Sequence, residues 1–142
     1  MRLYFMNKFL SPNSWMQNNG IAIIRILVGI FLIYHGSEIF DAAKMKEYAT
    51  WDMFKKNSSL SFMPYLGKAS ELIAGLLLTI GLFTRVACIL VIGTLGYIAF
   101  FVGNGKIWYE DQYPFLFVVL ALVFIFTGPG NFSADKILFN KK

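Results

Sequence analysis

Four long apolar stretches dominate this chain, and its charged residues collect in the segments between them. A helix crosses the hydrocarbon core of a bilayer with about 20 apolar residues, at about 1.5 Å per residue. The hydrophobic fraction of 57% and the aromatic fraction of 18% exceed the usage of ordinary soluble domains. The sequence therefore predicts one all-α integral membrane domain over residues 1–142, folded as an antiparallel four-helix bundle. The predicted spans are about 21–40, 64–84, 86–105 and 112–128.

The two longest segments outside the spans are predicted to lie at the membrane surface. In the first twenty residues, aromatic and aliphatic side chains are interleaved with Asn, Ser and Lys, which is typical of an interfacial N-terminal segment. In the extramembrane connection 41–63, Met45, Tyr48, Trp51 and Phe54 recur at an approximately helical period. This pattern predicts an amphipathic surface helix, and a solvated loop over the bundle is the alternative.

Charge, cysteine and histidine content exclude several classes of function. The net charge of +5 comes largely from Lys and Arg beside the apolar spans, where lipid headgroups are the expected partners and nucleic acid is not. A single cysteine, Cys88, excludes an intrachain disulfide. A single histidine, His35, excludes bis-histidine haem ligation and a His-rich metal site within one chain. We therefore expect no metal and no intrinsic cofactor.

Antiparallel threading brings polar residues together at one end of the bundle. His35 and Glu38, from span one, reach the level of Lys68 and Glu71, from span two, and the end of span three brings Tyr97 and Asn104 to the same level. A charge at the centre of a membrane costs about 2.5 to 3.5 kcal/mol on insertion scales, so such residues serve a ligand or pair between helices. We take His35, Glu71 and Glu38 as candidate catalytic residues and Tyr97 and Asn104 as candidate substrate-binding residues.

A second polar cluster is predicted at the opposite end, around Arg25. The hairpin between spans two and three and the end of span four reach the level of this arginine. The expected role of this cluster is either structural or ligand-binding. Besides Arg25, it comprises Thr84, Arg85, Ser133 and Asp135.

Glycines lie at helical spacing on the faces that carry the buried charges. Gly29 and Gly36 share a face with Arg25, and Gly75 lies one turn from Glu71. Small residues let neighbouring transmembrane helices approach closely, so these faces are predicted to be helix contacts. The glycines at positions 93 and 96 permit a dimer as well as a monomeric bundle.

Three motifs follow one another along the chain: R-x3-G-x5-H-G from Arg25, E-L-x2-G-x2-L-x2-G-L-x-T-R from Glu71 and G-P-G-x2-S-x-D from Gly128. Together they make the sequence resemble the DoxX family of small bacterial membrane proteins. The resemblance covers nearly the whole chain, from Ile21 to Leu138, and implies the four-span fold. Many members carry a lysine close to the position of Ile39, so a role for that lysine does not transfer to this chain.

The resemblance also implies a function, because the family includes membrane subunits of a thiosulfate:quinone oxidoreductase and of complexes that handle oxidative and thiol stress. It implies a cofactor-free oxidoreductase subunit in the bacterial inner membrane, with quinone as substrate and electrons from a membrane or soluble partner protein or a small reductant. In that hypothesis His35 donates a hydrogen bond to a quinone carbonyl, and Glu71 or Glu38 relays protons to the quinone.

Two other classes of function stay open. One is a non-enzymatic partner or assembly factor for membrane proteins, whose buried charges are structural. The other, less favoured, is a small-solute transporter, since no charge is predicted near the centre of the membrane, where substrate sites usually lie. Lys and Arg divide almost evenly between the two sides, and we expect both termini in the cytoplasm.

Overall fold

The computed structural model describes residues 11–13, 16–55 and 62–139, and within them every regular element is helical. The predicted all-α class is therefore confirmed. The predicted interfacial segment falls largely outside the described residues, since residues 1–10, 14 and 15 are not among them. The main helices are α1 (Gln17–Gly36), α4 (Met63–Ile80), α5 (Thr84–Tyr97) and α6 (Gln112–Thr127), and the short ones are α2 (Ala42–Ala49), α3 (Asp52–Lys55) and α7 (Ala134–Phe139).

The four main helices pack side by side in the order α1, α4, α5, α6, each antiparallel to the one before it in the chain. Small and aliphatic side chains fill the centre, with Phe117 and Phe124 from α6 closing it. The rest of this core consists of Val28, Leu32, Ala74, Leu78, Ala87, Cys88, Val91, Leu95, Val118 and Ala121.

The contact between α1 and α4 is the closest in the bundle, as the glycine pattern predicted. A Cβ added at Gly29 would lie 2.7 Å from the backbone nitrogen of Thr79 and 2.8 Å from the carbonyl oxygen of Gly75. A Cβ added at Gly36 would lie 2.6 Å from Cα of Leu72. The backbones of α1 and α4 are in direct contact here, so any residue larger than glycine at these two positions would push the helices apart.

The hairpin between α4 and α5 starts earlier than predicted. Helix α4 ends at Ile80, and Gly81 adopts the left-handed conformation with φ of 72°. The amide of Gly81 then donates to the carbonyl of Leu77 at 2.8 Å, which ends the helix. The predicted end of span two at residue 84 was therefore wrong, because Thr84 opens α5.

The connection between α1 and α4 is folded over one end of the bundle. A 3₁₀ turn, Ser37–Phe40, follows α1, and Asp41 then caps α2 by accepting from the amides of Ala43 and Lys44. Met45 and Phe54 are buried, so the part of the connection up to residue 55 forms amphipathic helices that cover the bundle. We refer to α2 and α3 as the cap.

Two helices in the described part of the chain are long and apolar enough to cross a membrane: Gln17–Phe40 and Thr84–Val102. The second includes α5 and the π-helical turn Ile98–Val102 that extends it. Helix α6 is apolar but shorter, and α4 carries Lys68 and Glu71.

Candidate functional site

A network of ion pairs connects α1, the cap and α4 at one end of the bundle, and Glu38 is at its centre. One oxygen of Glu38 accepts from Nζ of Lys44 at 2.7 Å. The other accepts from the Tyr48 hydroxyl at 2.6 Å and lies 3.0 Å from Nζ of Lys68. The Glu38 carboxylate is thus held as an anion by three donors from two other elements.

Lys68 joins this carboxylate to a second, more deeply buried one. Its Nζ also donates to Oε2 of Glu71 at 3.0 Å, and it lies 5.1 Å from the centre of the Tyr48 ring. Exposure falls along the series from 42% for the Lys44 side chain to 10% for Glu38 and 4% for Glu71. The ion pairs therefore form a continuous path from solvent into the bundle.

The outer members of this network have pKa values shifted upward. Burial, reinforced by the hydrogen bond to Glu38, raises the pKa of Tyr48 well above its usual range. The hydrogen bond to Glu38 also raises the pKa of Lys44. Both groups therefore keep their protons at neutral pH and donate to Glu38.

His35 lies on α1 beside this network and faces α6. Its Nδ1 is 3.9 Å from Oε1 of Glu38, too long for a direct hydrogen bond. Its ring makes an edge contact with Tyr113, with ring centres 5.0 Å apart. Within the described part of the chain, His35 and Glu71 share no hydrogen bond. The hydrogen-bond partner of the buried Glu71 carboxylate is Lys68.

A cavity of about 460 Å³ opens between the four main helices and under the cap. Lys68, Glu71 and His35 line one part of it, and Tyr48, Trp51, Phe54, Tyr97 and Tyr113 supply aromatic rings. This volume lies within the range of about 300 to 1,000 Å³ usual for small-molecule sites, which are mostly apolar with a few polar groups. The cavity can therefore hold a planar ring beside hydrogen-bonding side chains.

The two predicted substrate-binding residues have different positions. Tyr97 lines the cavity, and its hydroxyl lies 3.8 Å from Sδ of Met53. Asn104 is exposed in the loop before α6 and does not line the cavity. Its backbone amide donates to Asp111 at 3.0 Å, so this part of the loop is held together by the buried Asp111 carboxylate.

The guanidinium of Arg25 is fully buried at the opposite end of the bundle. It donates to the backbone carbonyls of Leu78 and Thr79, at the end of α4, and to those of Pro129 and Phe132, which follow α6. These hydrogen bonds tie three segments together. With its donors directed at carbonyls of the chain itself, Arg25 acts as a structural clamp.

The other predicted members of the second cluster lie around this clamp without forming one site. Asp135 accepts from the amides of Phe83 and Thr84 at 2.7 and 2.8 Å and so caps the start of α5. Ser133 is buried and accepts from the Lys136 amide at 3.2 Å. Thr84 is buried too, whereas Arg85 is exposed to the surroundings.

Sequence reasoning missed three side chains of the first site. Lys68 was placed at this depth but was not taken as a candidate, and Tyr48 was noted only for its apolar ring. Tyr113 was not singled out, although it opens α6 at the same end of the bundle. Among the described residues, no group of His, Cys, Asp and Glu is arranged to hold a metal ion.

The bundle has two helices long and apolar enough to cross a bilayer, apolar outer faces and polar clusters at its ends, features typical of a small α-helical membrane protein. The model of the DoxX family matches residues 20–104, and the chain belongs to that family. The earlier resemblance is thus confirmed.

Two relatives match over most of their lengths. An uncharacterized protein of Haemophilus influenzae is 29% identical over 129 residues, covering 85% of this chain and 92% of the relative. A protein of Bacillus subtilis named "Putative oxidoreductase CatD" is 29% identical over 130 residues, covering 87% of this chain and 90% of the relative. No solved structure matches the chain.

Proposed function

We propose that this chain is a DoxX-type subunit of a membrane oxidoreductase that binds a quinone in the cavity beside Lys68 and Glu71. The observation that carries the proposal is the cavity itself, which combines a ring-sized apolar space with a polar wall that leads to solvent. The name of the Bacillus subtilis relative supports the oxidoreductase class.

The chemistry needs protons at both quinone oxygens. A quinone takes up two electrons and two protons to become a quinol, and the donor loses the same two electrons. His35 and Lys68 are positioned to donate hydrogen bonds to the carbonyl oxygens, while Glu71 exchanges protons along the series Lys68, Glu38 and Lys44. The electrons come from a partner protein or a small reductant such as thiosulfate, because the chain has no cysteine pair.

The experiment measures quinone reduction by the purified chain in nanodiscs with thiosulfate as the donor, and quinone binding without it. We expect Glu71→Gln and His35→Ala to abolish the absorbance change while both variants stay folded and lose no more than about 1 kcal/mol of unfolding free energy. Asn104→Ala is the matched control, since Asn104 is exposed outside the cavity, and it should retain activity. If both cavity variants bound quinone with the affinity of the wild type, the proposal would be contradicted.

A non-enzymatic role as a membrane-protein partner is the second candidate. The observation that favours it is that Glu38 and Glu71 are already paired with lysines, as structural fasteners between helices are. In that case, Glu71→Gln and His35→Ala would lower stability, no quinone would bind, and the chain would co-purify with a stoichiometric membrane partner.

All four main helices are proposed to cross the bacterial inner membrane, with both termini in the cytoplasm. The outward side chains of α4 and α6 support this, since Ile73, Leu76, Leu122 and Phe126 are exposed apolar residues like those of α1 and α5. The start of α1, the α4–α5 hairpin and the end of α6 also meet at one end, where Asn131 donates to Asn18 and Asp135 to Gly81.

A labelling experiment tests this topology. In a Cys88→Ser background, Lys46→Cys in the cap and Arg85→Cys at the hairpin provide single thiols at opposite ends of the bundle. An impermeant maleimide added to intact spheroplasts should label the first and not the second. Labelling of both residues, or of Arg85→Cys alone, would contradict the proposed topology.

A further inference from the structure

The cavity described above extends to the outer surface of the bundle between α4 and α5. Three of the residues that line it are exposed on that surface: Leu66 on α4 and Ile89 and Gly93 on α5. Leu66 is 53% exposed and Ile89 is 63% exposed. The cavity therefore opens between these two helices, and we call this opening the α4–α5 gap.

Glycines border this gap and leave it unfilled. A Cβ added at Gly93 would meet nothing within 4 Å. A Cβ added at Gly67, on the facing helix, would meet only Cγ2 of Thr94, at 3.9 Å. These glycines contrast with Gly29, Gly36 and Gly75, where the same atom would collide with backbone. The glycines of the gap therefore do not serve close packing of helices.

The gap lies at the depth of the hydrocarbon. Ile89 and Gly93 belong to Thr84–Val102, one of the two helices suited to cross a membrane, and both lie well inside its ends. Gly93 is about 14 Å from the start of that helix at about 1.5 Å per residue. An exposed surface at this position contacts lipid chains, so the cavity opens sideways into the bilayer.

We propose that the α4–α5 gap holds the apolar tail of the quinone, which enters the cavity from the bilayer while its ring lies beside Lys68 and Glu71. This inference rests on the proposed function and adds the position of the quinone tail and the route by which the quinone enters. The cavity has polar groups on one side and an apolar mouth on the other, which matches a molecule with a polar ring and an apolar tail. The alternative position for the quinone tail is under the cap, beside Trp51 and Phe54.

Photo-crosslinking in nanodiscs tests where the tail lies. The probe is a benzoquinone with a decyl chain that carries a diazirine at its middle, and excess unlabelled decyl benzoquinone is the competitor. We expect competed adducts on residues 66–70 and 89–94. Competed adducts on 51–54 would overturn the inference and leave the quinone site intact. Absence of any competed adduct would contradict the proposed function itself.

A variant that fills the gap provides the second test. Gly93→Leu places a side chain in open space, so it should fold with a thermal midpoint no lower than that of the wild type. It should also lower the yield of competed adducts by at least about tenfold. Gly20→Leu is the matched control, because a Cβ at Gly20 also meets nothing within 4 Å and Gly20 does not line the cavity. An unchanged adduct yield in Gly93→Leu would overturn the inference.

Discussion

The Nζ of Lys68 and Oε2 of Glu71 lie 3.0 Å apart on the same face of α4, one helical turn apart. Their side chains are 14% and 4% exposed, so each of the two charges depends on the other. Lys68 also lies 3.0 Å from Glu38, and therefore one lysine neutralises carboxylates from two helices. The stability of this end of the bundle and the chemistry proposed for it therefore involve the same three side chains.

Loss of the lysine should be far more harmful than loss of the acid. Lys68→Met leaves a carboxylate buried without a cation, which costs about 3 to 5 kcal/mol. Glu71→Gln keeps a hydrogen-bonding group of the same shape and should cost about 1 kcal/mol. The double variant Lys68→Met with Glu71→Gln should recover part of the loss. Thermal unfolding in detergent measures all three, and additive effects would contradict the coupling.

The Arg25 clamp should be intolerant even of lysine. Four backbone carbonyls accept from Arg25, and a single ammonium cannot reach all of them. Each unsatisfied buried acceptor costs about 1 to 3 kcal/mol, so Arg25→Lys should lose at least about 3 kcal/mol of unfolding free energy. Arg85→Lys, at an exposed arginine, is the control and should change stability by less than about 0.5 kcal/mol. Equal effects of the two variants would rule out the clamp.

Two glycine-to-alanine changes should have opposite signs. A Cβ at Gly75 would lie 2.7 Å from the Ile33 backbone nitrogen and 2.8 Å from the Gly29 carbonyl oxygen, so Gly75→Ala must separate α1 from α4 at a cost of about 1 to 3 kcal/mol. Gly20→Ala meets nothing within 4 Å and should stabilise α1 by about 0.5 to 1 kcal/mol. The unfolding midpoint of each variant is compared with that of the wild type. An unchanged midpoint in Gly75→Ala would show that the close contact is not required for stability.

Stability should fall at alkaline pH through Tyr48. Its pKa is raised by burial and by the hydrogen bond to Glu38, so its contribution is fully present below the unfolded pKa of about 10 and is lost as pH rises through the folded value. Tyr48→Phe should be less stable than the wild type at neutral pH, and the difference should shrink above about pH 10. Tyr65→Phe, at an exposed ring, is the control. A difference that stays constant to about pH 11 would contradict this role.

Sequence reasoning was most successful where the pattern was local. Apolar runs predicted four main helices, and glycine spacing predicted that the faces of Gly29 and Gly75 are helix contacts, because helical periodicity alone puts such residues on one face. The end of α4 was misplaced by four residues, since Gly81 ends a helix through its own left-handed conformation and the apolar pattern continues past it.

Sequence reasoning was least successful for the partners of the buried charges. Threading placed Glu71 at the same depth as His35 and Lys68, yet it could not choose between them, because the choice depends on how α1 rotates against α4. The Arg25 clamp was also out of reach, since its acceptors are backbone carbonyls of a turn and a helix end that no side-chain pattern marks.

The sequence by itself determined a helical membrane chain of the DoxX family, because apolar length and ordered motifs need no tertiary information. Only the tertiary structure decided that Lys68 is the partner of Glu71, that Asn104 lies outside the cavity, and that the cavity reaches the outer surface of the bundle beside Gly93. The physical reason is that pairing, cavity shape and exposure depend on the distances between helices, and these distances are set by packing of residues far apart in the chain.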